Sequence, residues 1–159
     1  MILISPYSRQ MRNGKDNPKN YPYWKEVVSQ LSLEGKKVIQ LASENEPPIG
    51  ANEVKLKLPL RELKNLLEQC DTWAAVDNFW PHFCALSKKP GVVIWGKSDP
   101  LIFGYPWNIN LLKSRDCLRW NQFDIWESDT FDPKVFFPAY EVIAAIHKIL
   151  SKKTGSFLA

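Results

Sequence analysis

At 159 residues, 45% hydrophobic and 24% charged, the chain has the size of one compact domain built on one substantial core. Its net charge of +4 comes from 21 Lys and Arg against 17 Asp and Glu and never gathers into a long block, which argues against a dedicated nucleic-acid binder. A phosphate-bearing small molecule suits so modest an excess better.

Cys70, Cys84 and Cys117 form no CxxC pair and have no histidine at ligand spacing, so they read as small core hydrophobes in a reducing compartment rather than as a disulfide framework or a metal site. The start, Met1 to Pro6, lacks the basic region of a signal peptide, and no segment reaches the roughly 18 apolar residues of a membrane span. A soluble, cytoplasmic protein is expected.

In chain order, short apolar runs alternate with longer amphipathic stretches, as βαβ units stacked into a parallel sheet require. Ile2-Leu3-Ile4 is a first buried strand, followed by a polar loop with Gly14, Pro18 and Pro22. Trp24, Val27, Val28 and Leu31 recur at helical spacing over about 22–33, and Gly35 closes that helix. Strands follow at 37–41 and, after a turn-rich stretch from Glu44 to Gly50, at 53–56. Leu60, Leu63, Leu66 and Leu67 mark an amphipathic helix over about 59–70. Thr72 to Val76 is a fourth strand, a short apolar helix covers about 80–88, and Gly91 to Trp95 is a fifth strand. Pro100, Pro106 and the aromatics between 103 and 107 suggest an ordered loop before a further strand near 109–112. Val135, Tyr140, Val142, Ile143, Ile146 and Leu150 then give a helix over about 134–151, with a frayed tail at 152–159. The expected fold class is α/β: a three-layer, Rossmann-like, doubly wound parallel sheet forming one domain over 1–151.

In such a sheet, ligands bind beyond the carboxyl ends of the strands, near the point where strand order reverses. Three polar segments fall there: Ser5 to Lys19, Asp77 to His82 and Gly96 to Tyr105. The first offers Ser8, Arg9, Arg12, Lys15 and Lys19 ahead of a helix, which is the cationic and hydroxyl chemistry a pyrophosphate needs; it also reads as a solvated basic loop. In the second, His82 also reads as a structural histidine and Asp77 as a helix cap.

The run from Val76-Asp77-Asn78-Phe79-Trp80-Pro81-His82 through Lys89-Pro90 and on to Ile94-Trp95-Gly96-Lys97-Ser98-Asp99-Pro100 resembles the C-terminal domain of ADP-heptose:lipopolysaccharide heptosyltransferases, glycosyltransferase family nine. That family's pattern is an Asp-Ser/Thr-Gly turn, a His three residues on, a Lys/Arg-Pro step, a hydrophobic strand and Phe/Tyr-Gly-x-Ser/Thr-Asp-Pro. Ser5 to Arg9, Lys19-Asn20-Tyr21-Pro22 and Leu60 to Cys70 resemble further elements of it, so the likeness spans roughly Ile2 to Tyr105.

The resemblance implies a single GT-B half, the one that holds a nucleotide-diphosphate sugar. It implies that Ser8, Arg9 and Lys19 meet the donor phosphates, that Asp77 and Asn78 present turn N–H groups to the diphosphate, that His82 supports the turn, and that Glu46 faces the ribose. No metal or other cofactor is implied, the donor being a substrate. Two departures stand out. Where the family has Gly, which lets backbone approach the pyrophosphate, this chain has Phe79, followed by Trp80. The family's catalytic Asp comes from its N-terminal domain, which has no counterpart here, so transfer is expected to need a second domain from a partner chain or a homo-oligomer. The alternative is a non-catalytic module that keeps the fold and binds a nucleotide or a protein. A flavodoxin-like or response-regulator domain is disfavoured, because no acidic pair follows the first strand.

Overall fold

The computed structural model describes residues 1–155 and is an α/β/α sandwich around a six-stranded, all-parallel sheet. In chain order the elements are β1 (Ile2–Ser5), α1 (Trp24–Leu33), β2 (Val38–Ala42), β3 (Glu53–Leu56), α2 (Leu60–Gln69), β4 (Thr72–Val76), α3 (Phe79–Ala85), β5 (Val92–Trp95), α4 (Pro100–Phe103), β6 (Ile109–Leu112) and α5 (Ala139–Gly155). Three 3-10 turns, at Arg115–Cys117, Trp126–Ser128 and Pro133–Val135, punctuate the long connection from β6 to α5. The strand order is β3-β2-β1-β4-β5-β6, so the chain winds outward from β1 to one edge, returns, and winds outward from β4 to the other.

Because the central strands are covered on both faces, they read as continuous apolar runs while their side chains alternate between two cores. Ile2 and Ile4 of β1 pack with Trp24, Val27, Val28 and Leu31 of α1 and with Val142 and Ile146 of α5. Leu3, between them, joins Trp73, Val93 and Trp95 in the opposite core with Leu67 of α2 and with Trp80 and Cys84 of α3. Register is set at Ile4, which pairs with Gln40 of β2 and with Ala74 of β4. Gly91 is required at the foot of β5, since a Cβ there would lie 2.1 Å from Cε2 of the buried Trp73 ring.

Several expected boundaries shift, for local reasons. The last helix begins at Ala139 rather than near 134: Pro138 disfavours helical backbone at the residue before it, and Pro133–Val135 closes as a separate 3-10 turn capped by Asp132 on the N–H of Lys134. Tyr140, expected on that helix's buried stripe, is largely exposed. The helix continues through 152–155, where a frayed tail was expected; the rest of that tail, 156–159, lies outside the described residues. The helix expected over 80–88 spans Phe79–Ala85, and Lys88, at φ 51°, turns the chain toward β5. Within 96–107, expected as loop, Asp99 caps a one-turn helix by accepting from the N–H of Leu101. Cys70 and Cys84 are buried and Cys117 is half-buried; none of the three is in a disulfide, and burial pushes the Cys84 thiol well above its usual range. No described helix is long and apolar enough to cross a membrane.

Candidate functional site

The reversal of strand order falls between β1 and β4, and the carboxyl ends of these two strands open into a cleft of about 860 Å³. That volume lies within the range of sites for small organic ligands. The β1–α1 loop, the β2–β3 turn, the start of α3 and the 3-10 turn at Trp126–Ser128 form its walls.

Its floor is a knot of polar side chains that closes at the switch point. Ser8 Oγ donates to the backbone carbonyl of Asp77 at 2.6 Å, tying the first loop to the end of β4. The Asp77 carboxylate is nearly enclosed; Oδ2 accepts from Ser98 Oγ at 2.7 Å and meets Lys19 Nζ at 2.8 Å. The neighbouring Asn78 caps α3, its Oδ1 accepting from the N–H of Trp80 at 2.9 Å. Its amide nitrogen faces three oxygens of the β1 end, at 2.9 Å from Ser5 Oγ, 3.0 Å from the Tyr7 carbonyl and 3.2 Å from the Ser5 carbonyl. Thus the cap role open to Asp77 falls to Asn78, and Asp77 turns inward to the lysine.

The loop reaches this knot through its own turns. The Ser8 N–H donates to Asn20 Oδ1 at 2.8 Å, and the buried Asn17 donates to the Arg9 carbonyl at 2.8 Å and accepts from the Lys19 N–H at 3.0 Å. Arg9 and Arg12 stay exposed at the cleft's mouth. Opposite them, Glu127 is held below the usual glutamate range, first by its own N–H and that of Arg12, then by the charges of Arg12 and Arg9. Glu46 lines the wall beyond β2, half-buried, accepting from the Ser43 N–H at 2.8 Å. Burial raises its carboxyl despite that bond, and the Tyr7 hydroxyl is raised by burial with the Glu46 charge adding to it.

Of the residues singled out in the sequence, Ser8, Arg9, Lys19, Glu46, Asp77 and Asn78 therefore share one cleft. His82 does not line it. Its ring is exposed on α3, with Nδ1 3.0 Å from the Tyr105 hydroxyl across the α4–β6 loop. Phe79, 58% exposed, stands in the cleft wall, and Trp80 is buried beneath it against Phe83. Sequence reasoning gave no role to Ser98 or Gln40. Ser98 was visible within the Gly-Lys-Ser-Asp-Pro run. Gln40, wholly buried in β2, accepts from the Ile49 N–H and donates to the Pro47 carbonyl, both at 3.0 Å, so a lone amide inside an apolar strand was the signal for an ordered turn. Among the described residues, no three His, Cys, Asp or Glu side chains come together as a metal would require.

A doubly wound parallel sheet with a polar cleft at its switch point defines the class as a Rossmann-like α/β fold. Among solved structures, the chain is similar to ADP-heptose lipopolysaccharide heptosyltransferase II of E. coli, with a TM-score of 0.70 and 16% identity over 96% of this chain and 47% of that one. It is equally similar to the dodecameric, iron-containing glycosyltransferase TibC of enterotoxigenic E. coli, with a TM-score of 0.70 and 19% identity over 95% of this chain and 45% of that one. The family nine glycosyltransferase of Veillonella parvula gives a TM-score of 0.68 at 16% identity, over 96% and 47% of the two chains. TibC has also been solved in complex with ADP-D-β-D-heptose. No protein-family model and no curated protein sequence matches. The fold is that of one half of a GT-B heptosyltransferase, and the chain spans just under half the length of these enzymes.

Proposed function

We propose that this chain holds a nucleotide-diphosphate sugar in the β1/β4 cleft, as the donor-binding part of a glycosyltransferase that receives its acceptor site and catalytic base from a second domain or a partner chain. The observation that carries the reading is the convergence of Ser8, Lys19, Asp77 and Asn78, from segments some sixty residues apart, on the sheet edge where a doubly wound fold takes its ligand. Lys19, Arg9 and Arg12 supply positive charge, and the half-buried Glu46 across the cleft can accept from sugar hydroxyls. Within this reading the chain's chemical part is to stabilise the leaving diphosphate, Lys19 exchanging part of its contact with Asp77 for phosphate oxygens as negative charge develops. A base outside this cleft deprotonates the acceptor hydroxyl, giving inverting transfer.

A second reading, a non-catalytic binding module, is favoured by one feature: the Phe79 side chain occupies the cleft wall where the resembled enzymes have glycine. Calorimetric titration with ADP, UDP, GDP and their sugar conjugates separates the two. Micromolar binding that is lost in Lys19→Ala supports the donor site, whereas no binding to any of these nucleotides leaves the interaction module.

A further inference from the structure

The connection between β6 and α5 is more than a linker. Residues 114–131 fold back over the carboxyl end of the sheet and are pinned there by polar contacts, most of them part-buried. The Arg115 guanidinium meets both oxygens of Asp99, at 2.7 and 3.2 Å. Gln122 accepts from the Asp99 N–H at 2.8 Å and donates to the Lys97 carbonyl at 3.0 Å. Asp129 takes Lys97 Nζ at 2.5 Å on one oxygen and Arg119 Nε at 3.5 Å on the other. Arg119, only 7% exposed along its side chain, also donates to the carbonyls of Asp124 and Ile125, at 3.1 and 2.9 Å.

These contacts present the indole of Trp126 to two cations. The Arg119 guanidinium carbon lies 4.1 Å from the ring centroid and Lys19 Nζ lies 4.8 Å from it. Lys19 returns to Asp77, Asp77 to Ser98, and Ser98 is the chain neighbour of Lys97, so the contacts close into a ring that joins the strap to the floor of the cleft. The Lys19 ammonium therefore has two holds, the enclosed Asp77 carboxylate at 2.8 Å and an aromatic face, and the second is an uncharged attraction that fixes the ammonium's direction without adding a further anion to neutralise it.

We propose that Trp126 is a positioning residue for Lys19, and that the 114–131 segment is a strap whose task is to hold that indole in place for the capture of a diphosphate. The inference rests on the donor-site reading for the ligand, but the contact itself is tested without any nucleotide.

The full chain is treated with limiting amine-acylating reagent, and Lys19 modification is followed by mass spectrometry against the exposed Lys25 and Lys64. Loss of a cation–π contact frees the amine, so Trp126→Leu is expected to acylate Lys19 about two- to fivefold faster, while Trp126→Phe, which keeps a π face, stays close to the unaltered protein. Asp129→Asn, which leaves Trp126 untouched but loosens Arg119 and Lys97, moves Lys19 in the same direction and serves if Trp126→Leu does not fold. Inorganic pyrophosphate binding falls by a similar factor in Trp126→Leu and not in Trp126→Phe. Unchanged Lys19 reactivity in both Trp126→Leu and Asp129→Asn overturns the proposal, as does a Trp126→Phe protein that behaves like Trp126→Leu. If the unaltered protein binds neither pyrophosphate nor any of the nucleotides and sugar conjugates, the donor-site reading fails, and the acylation rates still decide whether Trp126 positions Lys19.

Discussion

Asn78 is the residue on which the architecture of the cleft depends most directly, because one side chain caps α3 and ties the end of β1 to the end of β4. Replacing it with alanine removes the acceptor for the Trp80 N–H, a loss of about 1 kcal/mol for a typical N-cap. It also removes both amide donors, shared among three oxygens of Ser5 and Tyr7, each worth roughly 0.5–1.5 kcal/mol net. Asn78→Ala should therefore lose about 2–4 kcal/mol, a large part of the stability of a domain this size. Urea unfolding followed by circular dichroism would show the midpoint falling by roughly 1–2 M with the slope unchanged. Asn78→Asp sharpens the test, since it keeps the capping oxygen but sets a carboxylate against the carbonyls of Ser5 and Tyr7. That contact raises the folded-state pKa of the new Asp, so its deficit relative to Asn78→Ala is present at neutral pH and fades as pH falls through the ordinary carboxylate range. A loss below 1 kcal/mol in Asn78→Ala at unchanged slope would refute the reasoning, meaning that water replaces the amide at no cost.

Gly91→Ala is expected to lose at least about 1–3 kcal/mol in the same assay, because its methyl group overlaps the buried Trp73 ring and neither the β5 backbone nor the indole has room to move; a wild-type midpoint would show that the ring can shift. Asp99 is held below its ordinary value chiefly by the Arg115 guanidinium, so the advantage of the unaltered protein over Arg115→Ala is present above the usual Asp pKa and is lost as pH falls through the depressed one. NMR titration of the Asp99 carboxyl carbon should accordingly show an upward-shifted midpoint in Arg115→Ala. Phe79→Gly clears the cleft wall and should tighten ADP binding by about tenfold in calorimetry while costing roughly 0.5–1 kcal/mol of stability through the added glycine. Weaker ADP binding in that variant would mean that Phe79 contributes a contact rather than an obstruction.

The identities and types of the sheet elements were legible in the sequence because parallel strands buried on both faces must be short apolar runs, as Ile2–Ile4, Thr72–Val76 and Val92–Trp95 are. Helices α1 and α2 announced themselves through leucine and valine spacing, although Leu60 at the head of the α2 pattern is exposed. The meeting of Ser8 and Lys19 with Asp77 followed from the rule that ligands gather at a strand-order reversal. Helix boundaries were less legible: Pro138 and Asp132 divide what looked like one helical stripe into a 3-10 turn and α5. Periodicity says which face of an element is apolar, not which distant polar group will come to rest against it.

For that reason the chemistry at the floor of the cleft was decided by tertiary structure alone. Asp77 could have been the cap and Asn78 its neighbour; the enclosed position of Lys19 and Ser98 drew the charged carboxylate inward and left the neutral amide to satisfy α3 and the β1 carbonyls. His82 could have supported the cleft, but its exposed face on α3 carries it to Tyr105 instead. Residues 114–131 have no hydrophobic period to betray them, since their position comes from Arg115, Arg119, Gln122 and Asp129 reaching partners on other segments. Local propensity and patterning thus determined the layers and the edge at which the cleft opens, whereas the pairing of buried charges, which depends on distances between segments far apart in the chain, was settled only when the chain closed on itself.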